Sequence, residues 1–299
     1  MSRRRTTPKQ RQVWASDLPA IRDAVMHDWA TLDITDPYQP VAGTLEGIHD
    51  ELRDGDLWWV APPMTRLAIA AARDLPEWTP HLARPSLAGI VIWSPSTGLD
   101  LIWSDAPTQH RKHSALTGAQ IGPSLRIIGL SWFPSVDGGM EIEAISDDPR
   151  LCGADPARPV GSDAMGHGSP GRWGPSHTLH EEQLWNLLGA TWLLASQPTI
   201  GVRRPPRDED APRFGRRPAD PSPISVVTLR EIATDPTGQR EDALTPSGRT
   251  PPRRHIVHGF WRQQACGPSR QWRKPIFIAP YLRGRGDLIE KDRVQVWRR

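Results

Sequence analysis

The residues best suited to chemistry lie in the last fifty positions. In the run His255-Ile256-Val257-His258-Gly259-Phe260-Trp261-Arg262-Gln263-Gln264, strand alternation sets His258, Phe260, Arg262 and Gln264 on one face. His255, Val257, Trp261 and Gln263 fall on the other, so the two histidines do not form an acid–base pair on a regular strand. One imidazole with two guanidiniums is nevertheless a set that can cleave a phosphodiester without metal. The imidazole acts as base and the guanidiniums face the developing phosphorane charge. His258, Arg262 and Arg283 are the candidates for that role in a toxin-like ribonuclease. Antiparallel pairing across Gly267-Pro268-Ser269 is expected to bring Arg262 and Arg283 to one end of the sheet, where both forks can grip one phosphate. Arginine and glutamine beside aromatic rings also suit a sheet that holds a single nucleic-acid strand, its bases stacking on the rings. The plainest alternative is a tryptophan-rich sheet packed on the rest of the chain with charged edges.

Other combinations are weaker. His177, His180 and Glu181 read H-x-x-H-E, not the H-E-x-x-H that puts two ligands one helical turn apart. His110 and His113 flank Arg111-Lys112 in a loop-like stretch. No metal site and no cofactor is expected. Gly166-His167-Gly168-Ser169-Pro170-Gly171 matches G-x-G-x-x-G in letters, but no strand precedes it and Pro170 interrupts it, so it reads as a loop. Cys152 and Cys266 lie far apart without a C-x-x-C pattern and are expected to be free thiols. No nucleophile elbow, Walker loop or carboxylate cluster points to another enzyme class, and whether the chain is an enzyme stays open.

Charge is distributed unevenly along the 299 residues. Positions 1–199 hold 16 Lys+Arg against 23 Asp+Glu, a net of −7; positions 200–299 hold 21 against 11, a net of +10. Lysine occurs only four times, which fits the coding bias of a GC-rich genome, but that bias does not explain a change of sign near residue 200. A basic patch of this kind attracts polyanions through counterion release. The candidate nucleic-acid contacts are Arg253, Arg254, His258, Arg262, Gln264, Arg270, Arg273, Lys274, Arg283 and Arg285. Nucleic acid, RNA or DNA, is the expected partner. The same face also leaves room for an acidic protein partner, an adaptor role or a homo-oligomer.

These side chains need elements to position them, and the pattern predicts an α+β fold: N-terminal helices with antiparallel hairpins, then a C-terminal antiparallel β-meander. Residues 1–13 are expected to form a disordered basic tail. Within 14–199, a helix runs from Ser16 or Asp17 to about Trp29, and a second from Met64 to Asp74 behind Pro62-Pro63. Leu87–Trp93 and Leu99–Trp103 then read as one hairpin across Ser94–Gly98; Leu125–Phe133 and Met140–Ile145 read as another across Val136–Gly139. The four strands are expected to make one antiparallel sheet. Residues 147–176 form a long excursion. Thr178 and Glu181 then make a capping box for a core helix, Leu179–Ser196, carrying a stripe of Leu184, Leu187, Leu188, Thr191 and Leu194. A proline-rich linker at 200–223 separates this from the basic domain 224–299, with strands at Ile224–Leu229, His255–Gln263, Lys274–Tyr281 and Arg293–Trp297. No apolar run is long enough for a membrane helix and no leader follows Met1-Ser2-Arg3, so a cytoplasmic location without membrane contact is expected.

The segments His258-Gly259-Phe260-Trp261-Arg262-Gln263-Gln264 and Ile276-Phe277-Ile278-Ala279-Pro280-Tyr281-Leu282-Arg283-Gly284, with the terminal Val294-x-Val296-Trp297, carry a resemblance. They are similar to the C-terminal signature of a family of uncharacterised proteins from GC-rich bacteria, their plasmids and phages. That signature runs R-G-H-W-R-x-Q followed by I-x-I-x-P-x-x-R-G. The chain departs from it at His258, usually arginine, and at Phe260, usually histidine. The resemblance implies a mobile-element context and no particular activity. The leading expectation is therefore a nucleic-acid-binding accessory or regulatory protein of such an element, with a ribonuclease and a protein adaptor as alternatives.

Overall fold

The structure, a computed structural model, describes residues 12–30, 50–94, 100–101, 125–134, 140–148, 152, 156–163, 179–210, 224–230, 253–283 and 285–288. In chain order these make helix α1 (Leu18–Ala30), strand β1 (Asp56–Val60), helices α2 (Pro62–Ala72) and α3 (Pro80–Ala83), and strand β2 (Gly89–Trp93). Then come β3 (Asp100–Leu101), β4 (Leu125–Arg126), β5 (Gly129–Pro134), β6 (Met140–Ser146) and β7 (Arg158–Asp163). Helix α4 (Leu179–Ala195) leads to β8 (Gly201–Arg204) and β9 (Ile224–Leu229). The chain closes on β10 (Arg253–Val257), β11 (Phe260–Cys266), β12 (Trp272–Ile278), β13 (Tyr281–Arg283) and β14 (Arg285–Leu288). The fold is α+β.

Leu57-Trp58-Trp59-Val60 is apolar on consecutive residues because both of its faces are covered. With Asp56 it forms β1, an interior strand of a seven-stranded mixed sheet of order β7-β6-β5-β2-β1-β9-β8. Strand β1 pairs in parallel with β2 on one side and β9 on the other, and the remaining neighbours are antiparallel. Leu57, Trp59, Ile90, Ile92 and Val226 meet Leu18, Ile21 and Val25 of α1 on one face. Trp58, Val60, Val91, Trp93, Trp132 and Val227 meet Met64 and Ala68 of α2 and Leu187, Leu188 and Trp192 of α4 on the other.

Helix α4 is the central core helix, as its stripe predicts. Its indole neighbours lock by edge contacts: Trp132 and Trp192 lie 5.2 Å apart at 74°, and Trp78 and Trp192 lie 6.1 Å apart at 81°. Thr191, a poor helix former, has a use here. Its hydroxyl donates to the Leu187 carbonyl (2.7 Å) and accepts the Trp93 indole N–H (3.0 Å). Gly189 sits mid-helix because a Cβ there would stand 2.5 Å from the Trp78 ring.

Several expectations need correction. The first hairpin is absent: both edges of β2 are taken, by β1 and β5, so β3 pairs with β4 instead. The sheet is mixed rather than antiparallel, since β1, α2 and β2 form a parallel crossover unit. The β5–β6 hairpin does form. Val13 is fully buried beside α1 and so belongs to the core, not to the expected tail. The boundary expected at 200–223 does not hold at either end. Strand β8 begins at Gly201 and pairs with β9, and β9 lies inside the large sheet against β1, so it is no part of a separate C-terminal domain. Residues 205–210 are stapled back onto β8: the Arg204 guanidinium bonds both oxygens of buried Asp210 and reaches Glu209 Oε1 at 2.8 Å. The Asp210 hydrogen bond raises the Arg204 pKa above its usual value; partial burial opposes it and the charges of Asp210 and Glu209 add to it. The His110/His113 pair, the glycine-rich segment 166–171, His177, the capping box and side chain of His180, the remaining linker 211–223 and the strand at 293–297 lie outside the described residues.

Burial of α4 generates a direct check. Leu188 is fully buried, so Leu188→Ala should cost about 2–5 kcal/mol through lost burial and the residual cavity. Denaturant unfolding measures it; an unchanged midpoint would contradict the placement of this helix in the core.

Candidate nucleic-acid interface

The C-terminal strands form a ribbon. Strand β10 pairs with β13 (His255↔Arg283, Val257↔Tyr281) and β11 pairs with β12 (Phe260↔Ile278 through Cys266↔Trp272), both antiparallel. Going from Val257↔Tyr281 to Phe260↔Ile278 advances three residues on each strand, so the two ladders keep one register. The ladder breaks at His258-Gly259 and Ala279-Pro280, where Pro280 has no N–H to donate. At its far end the ribbon turns through Gly267 to Gln271. Gly267 has φ 73°, and a Cβ there would overlap the Trp272 ring at 2.3 Å. At its near end β14 joins the other edge of β10 in parallel, opposing Arg253 to Arg285.

The β11–β12 hairpin is fixed to the body through one face only. Trp261 donates its indole N–H to the Ala71 carbonyl in the last turn of α2 (2.8 Å), and Gln263 donates to the Glu77 carbonyl (2.7 Å). The Phe277 N–H donates to Gln197 Oε1 (3.1 Å), while the Gln197 amide donates to the Leu193 carbonyl in the last turn of α4 (3.1 Å). Phe277 is buried in the α2/α4 core and meets Trp261 edge-on at 5.2 Å. The Trp261 indole thus adds a neutral donor to an α2 carbonyl that the Asp74 N–H reaches only at 3.4 Å, while Ser196 and Gln197 satisfy the Leu193 carbonyl from within their own segment.

The opposite face carries Phe260, Arg262, Gln264 and Cys266 on β11, with Ile278, Ile276, Lys274 and Trp272 directly across on β12. Phe260 is 44% exposed and Trp272 48%. Arg262, Gln264, Arg270 and Arg273 are exposed and Lys274 is half-buried. Arg262 Nη2 donates to Gln264 Oε1 (3.0 Å), and Arg273 donates to the carbonyls of Arg270 (2.9 Å) and Trp272 (3.3 Å). Among the described residues, no ion pair involves Arg262, Arg270, Arg273 or Lys274; in the body Arg22, Arg53, Arg126, Arg204 and Arg207 have carboxylate partners, while Arg66, Arg73, Arg84, Arg203 and Arg230 have none.

The expected site residues therefore divide into two groups. Arg262, Gln264, Arg270, Arg273 and Lys274 gather on the hairpin; Arg253, Arg254, Arg283 and Arg285 lie on the strands beyond the ladder break, with exposed His258 at the break itself. Arg262 and Arg283 do not share an end. Arg283 pairs with His255, seven residues from Arg262, about 23 Å along a regular strand. That separation gives no single-phosphate grip and does not assemble His258, Arg262 and Arg283 as a cleavage centre. Sequence reasoning missed Trp272, which the turn at Gly267 places opposite Cys266 and hence on the arginine face. Among the described residues, no group of His, Cys, Asp and Glu is placed to hold a metal ion, and no helix is long and apolar enough to cross a membrane. Cys152, whose thiol donates to the Ser146 carbonyl (3.2 Å), and Cys266 are not joined in a disulfide.

The docking contact can be tested. Trp261→Phe keeps an aromatic ring but removes the indole N–H and leaves the Ala71 carbonyl only the long Asp74 N–H contact (3.4 Å), so it should cost about 1 kcal/mol and speed exchange of the Phe277 amide. Unchanged stability and exchange would place the hairpin off the helices.

No family model matches the chain, and no curated protein matches it. Among solved structures it is similar to one titled "Crystal structure of AcrVA2", at 14% identity, covering 86% of this chain and 85% of that one, with a TM-score of 0.36.

Proposed function

We propose that the chain is a cytoplasmic nucleic-acid-binding protein, an accessory or regulatory component of a mobile genetic element, whose C-terminal ribbon is the binding surface. One observation carries the reading. Residues 253–286 contain eight Arg and Lys and no Asp or Glu, and the described cations on the hairpin have no carboxylate partner. Uncompensated cations on one ribbon repel one another, and a polyanion relieves that repulsion while releasing its own counterions. The hairpin is held by neutral hydrogen bonds, so docking consumes none of this charge. The mobile-element part of the reading is supported by the resemblance of the 258–284 signature.

The test uses the whole chain, because β9 belongs to the large sheet and a fragment starting at 224 would remove a core strand. Six contacted phosphates should make affinity for an oligonucleotide fall on the order of 10²–10³-fold between 50 and 200 mM salt. The triple variant Arg262→Gln, Arg273→Gln, Lys274→Gln should flatten the dependence of log affinity on log salt by about 2–3. Fluorescence anisotropy titrations across salt measure both. No binding at 50 mM, or binding indifferent to salt, would overturn the proposal.

A further inference from the structure

We infer that the open face of the β11–β12 hairpin is a stacking platform for an unpaired nucleic-acid strand, with Phe260 and Trp272 as its two base-binding rings. The inference rests on the reading that the ribbon binds nucleic acid and adds which form of it is bound. The register makes the case. Phe260 stands at one end of the face, and Trp272, opposite Cys266, stands six residues away at the other, about 20 Å along the strands. Both rings are nearly half exposed, as is Tyr281 on β13, whereas the tryptophans of the sheet and α4 are buried; Gly267 covers one side of the Trp272 ring and leaves the rest for stacking. Between them lie the two cations that the phosphates of a strand spanning both rings must pass: Arg262, opposite Ile276, and Lys274, opposite Gln264. Gln264 accepts one hydrogen bond from Arg262, which leaves the other guanidinium donors available for a phosphate or a base edge.

Ring, cation and ring along one groove-free face is the arrangement that holds single strands without sequence preference. The charge tracks the backbone and every base has a π-face to offer. A duplex has its bases stacked on one another and cannot give them to Phe260 and Trp272. An acidic peptide would answer the charge but leave the rings without a planar partner. The inner face of the hairpin is anchored through Trp261, Gln263 and Phe277, so docking leaves the ring-bearing face uncovered.

The experiment compares three fluorescein-labelled probes on the full chain at 50 mM salt: a 12-nucleotide oligothymidylate, a 12-base-pair duplex and an abasic 12-mer with the same phosphates. The thymidylate should bind best and quench tryptophan fluorescence. Phe260→Ala and Trp272→Ala should each weaken it roughly 5- to 150-fold. Neither change should alter abasic binding, and Trp272→Phe should retain most of the affinity. Equal binding of thymidylate and duplex, or alanine variants that bind like the parent, overturns the platform and leaves the basic ribbon as a duplex or backbone reader. Failure of all three probes to bind overturns the nucleic-acid reading itself. Because both rings are exposed and outside the core, the thermal midpoint should be unchanged in either variant. The abasic probe reports stacking in the parent protein even if a variant proves unstable.

Discussion

Trp261 and Phe277 fix where the charge of this protein can go. Their contacts with Ala71 and Gln197 fasten the hairpin to the C-terminal ends of α2 and α4, and those contacts are neutral hydrogen bonds and apolar burial. A basic ribbon docked through its arginines would have needed carboxylates from the acidic body and would have spent its charge inside the molecule. Docked through an indole, a carboxamide and a backbone N–H, it keeps Arg262 and Lys274 on the outward face and leaves Arg273, which alternates onto the docked face, exposed. Placing the ribbon at helix C-termini also suits its sign, since the carbonyl ends of helices carry a partial negative charge.

The two uses of arginine in one chain make the contrast sharper. Arg204 is half-sunk between Asp210 and Glu209 and holds a loop to the sheet edge; Arg126 meets buried Asp147; Arg203 lies 5.4 Å from the centroid of the Trp58 ring. These are internal fasteners. Arg262 and Arg273 bond only to neighbours on their own hairpin. The same residue type therefore acts as structure in the body, through carboxylates at Arg126 and Arg204 and through an indole at Arg203, and as surface chemistry on the ribbon.

Legibility in the sequence followed how local each interaction is. Helix α4 was plain from its leucine stripe, and the β5–β6 hairpin from alternation around Asp137-Gly138-Gly139, because both signals fall within one element or one turn. Strand β1 carried no such signal: Trp58 and Trp59 are buried on opposite faces, which erases alternation. Its parallel partner β9 is some 165 residues away, and no short-range pattern announces that pairing, so Ile224–Leu229 read as the start of a new domain. In the site, the face shared by Phe260, Arg262 and Gln264 was legible from period two. Trp272 was not, because which residues of β12 oppose that face depends on the length of the turn. The expected meeting of Arg262 and Arg283 failed for a related reason: the ladder continues past Pro280 in unbroken register and carries Arg283 away from the turn.

The central claim is that the hairpin's outward face, and not the body, is where a nucleic-acid strand lies. Photocrosslinking tests it most directly: a 5-bromouracil-substituted single strand is irradiated with the full chain at low salt, and the attached residues are identified by peptide mass spectrometry. Crosslinks are expected at Phe260 and Trp272, lost in 0.5 M salt as the backbone contacts are screened. Crosslinks confined to residues 12–210, or no crosslinks on the hairpin at any salt, would contradict it.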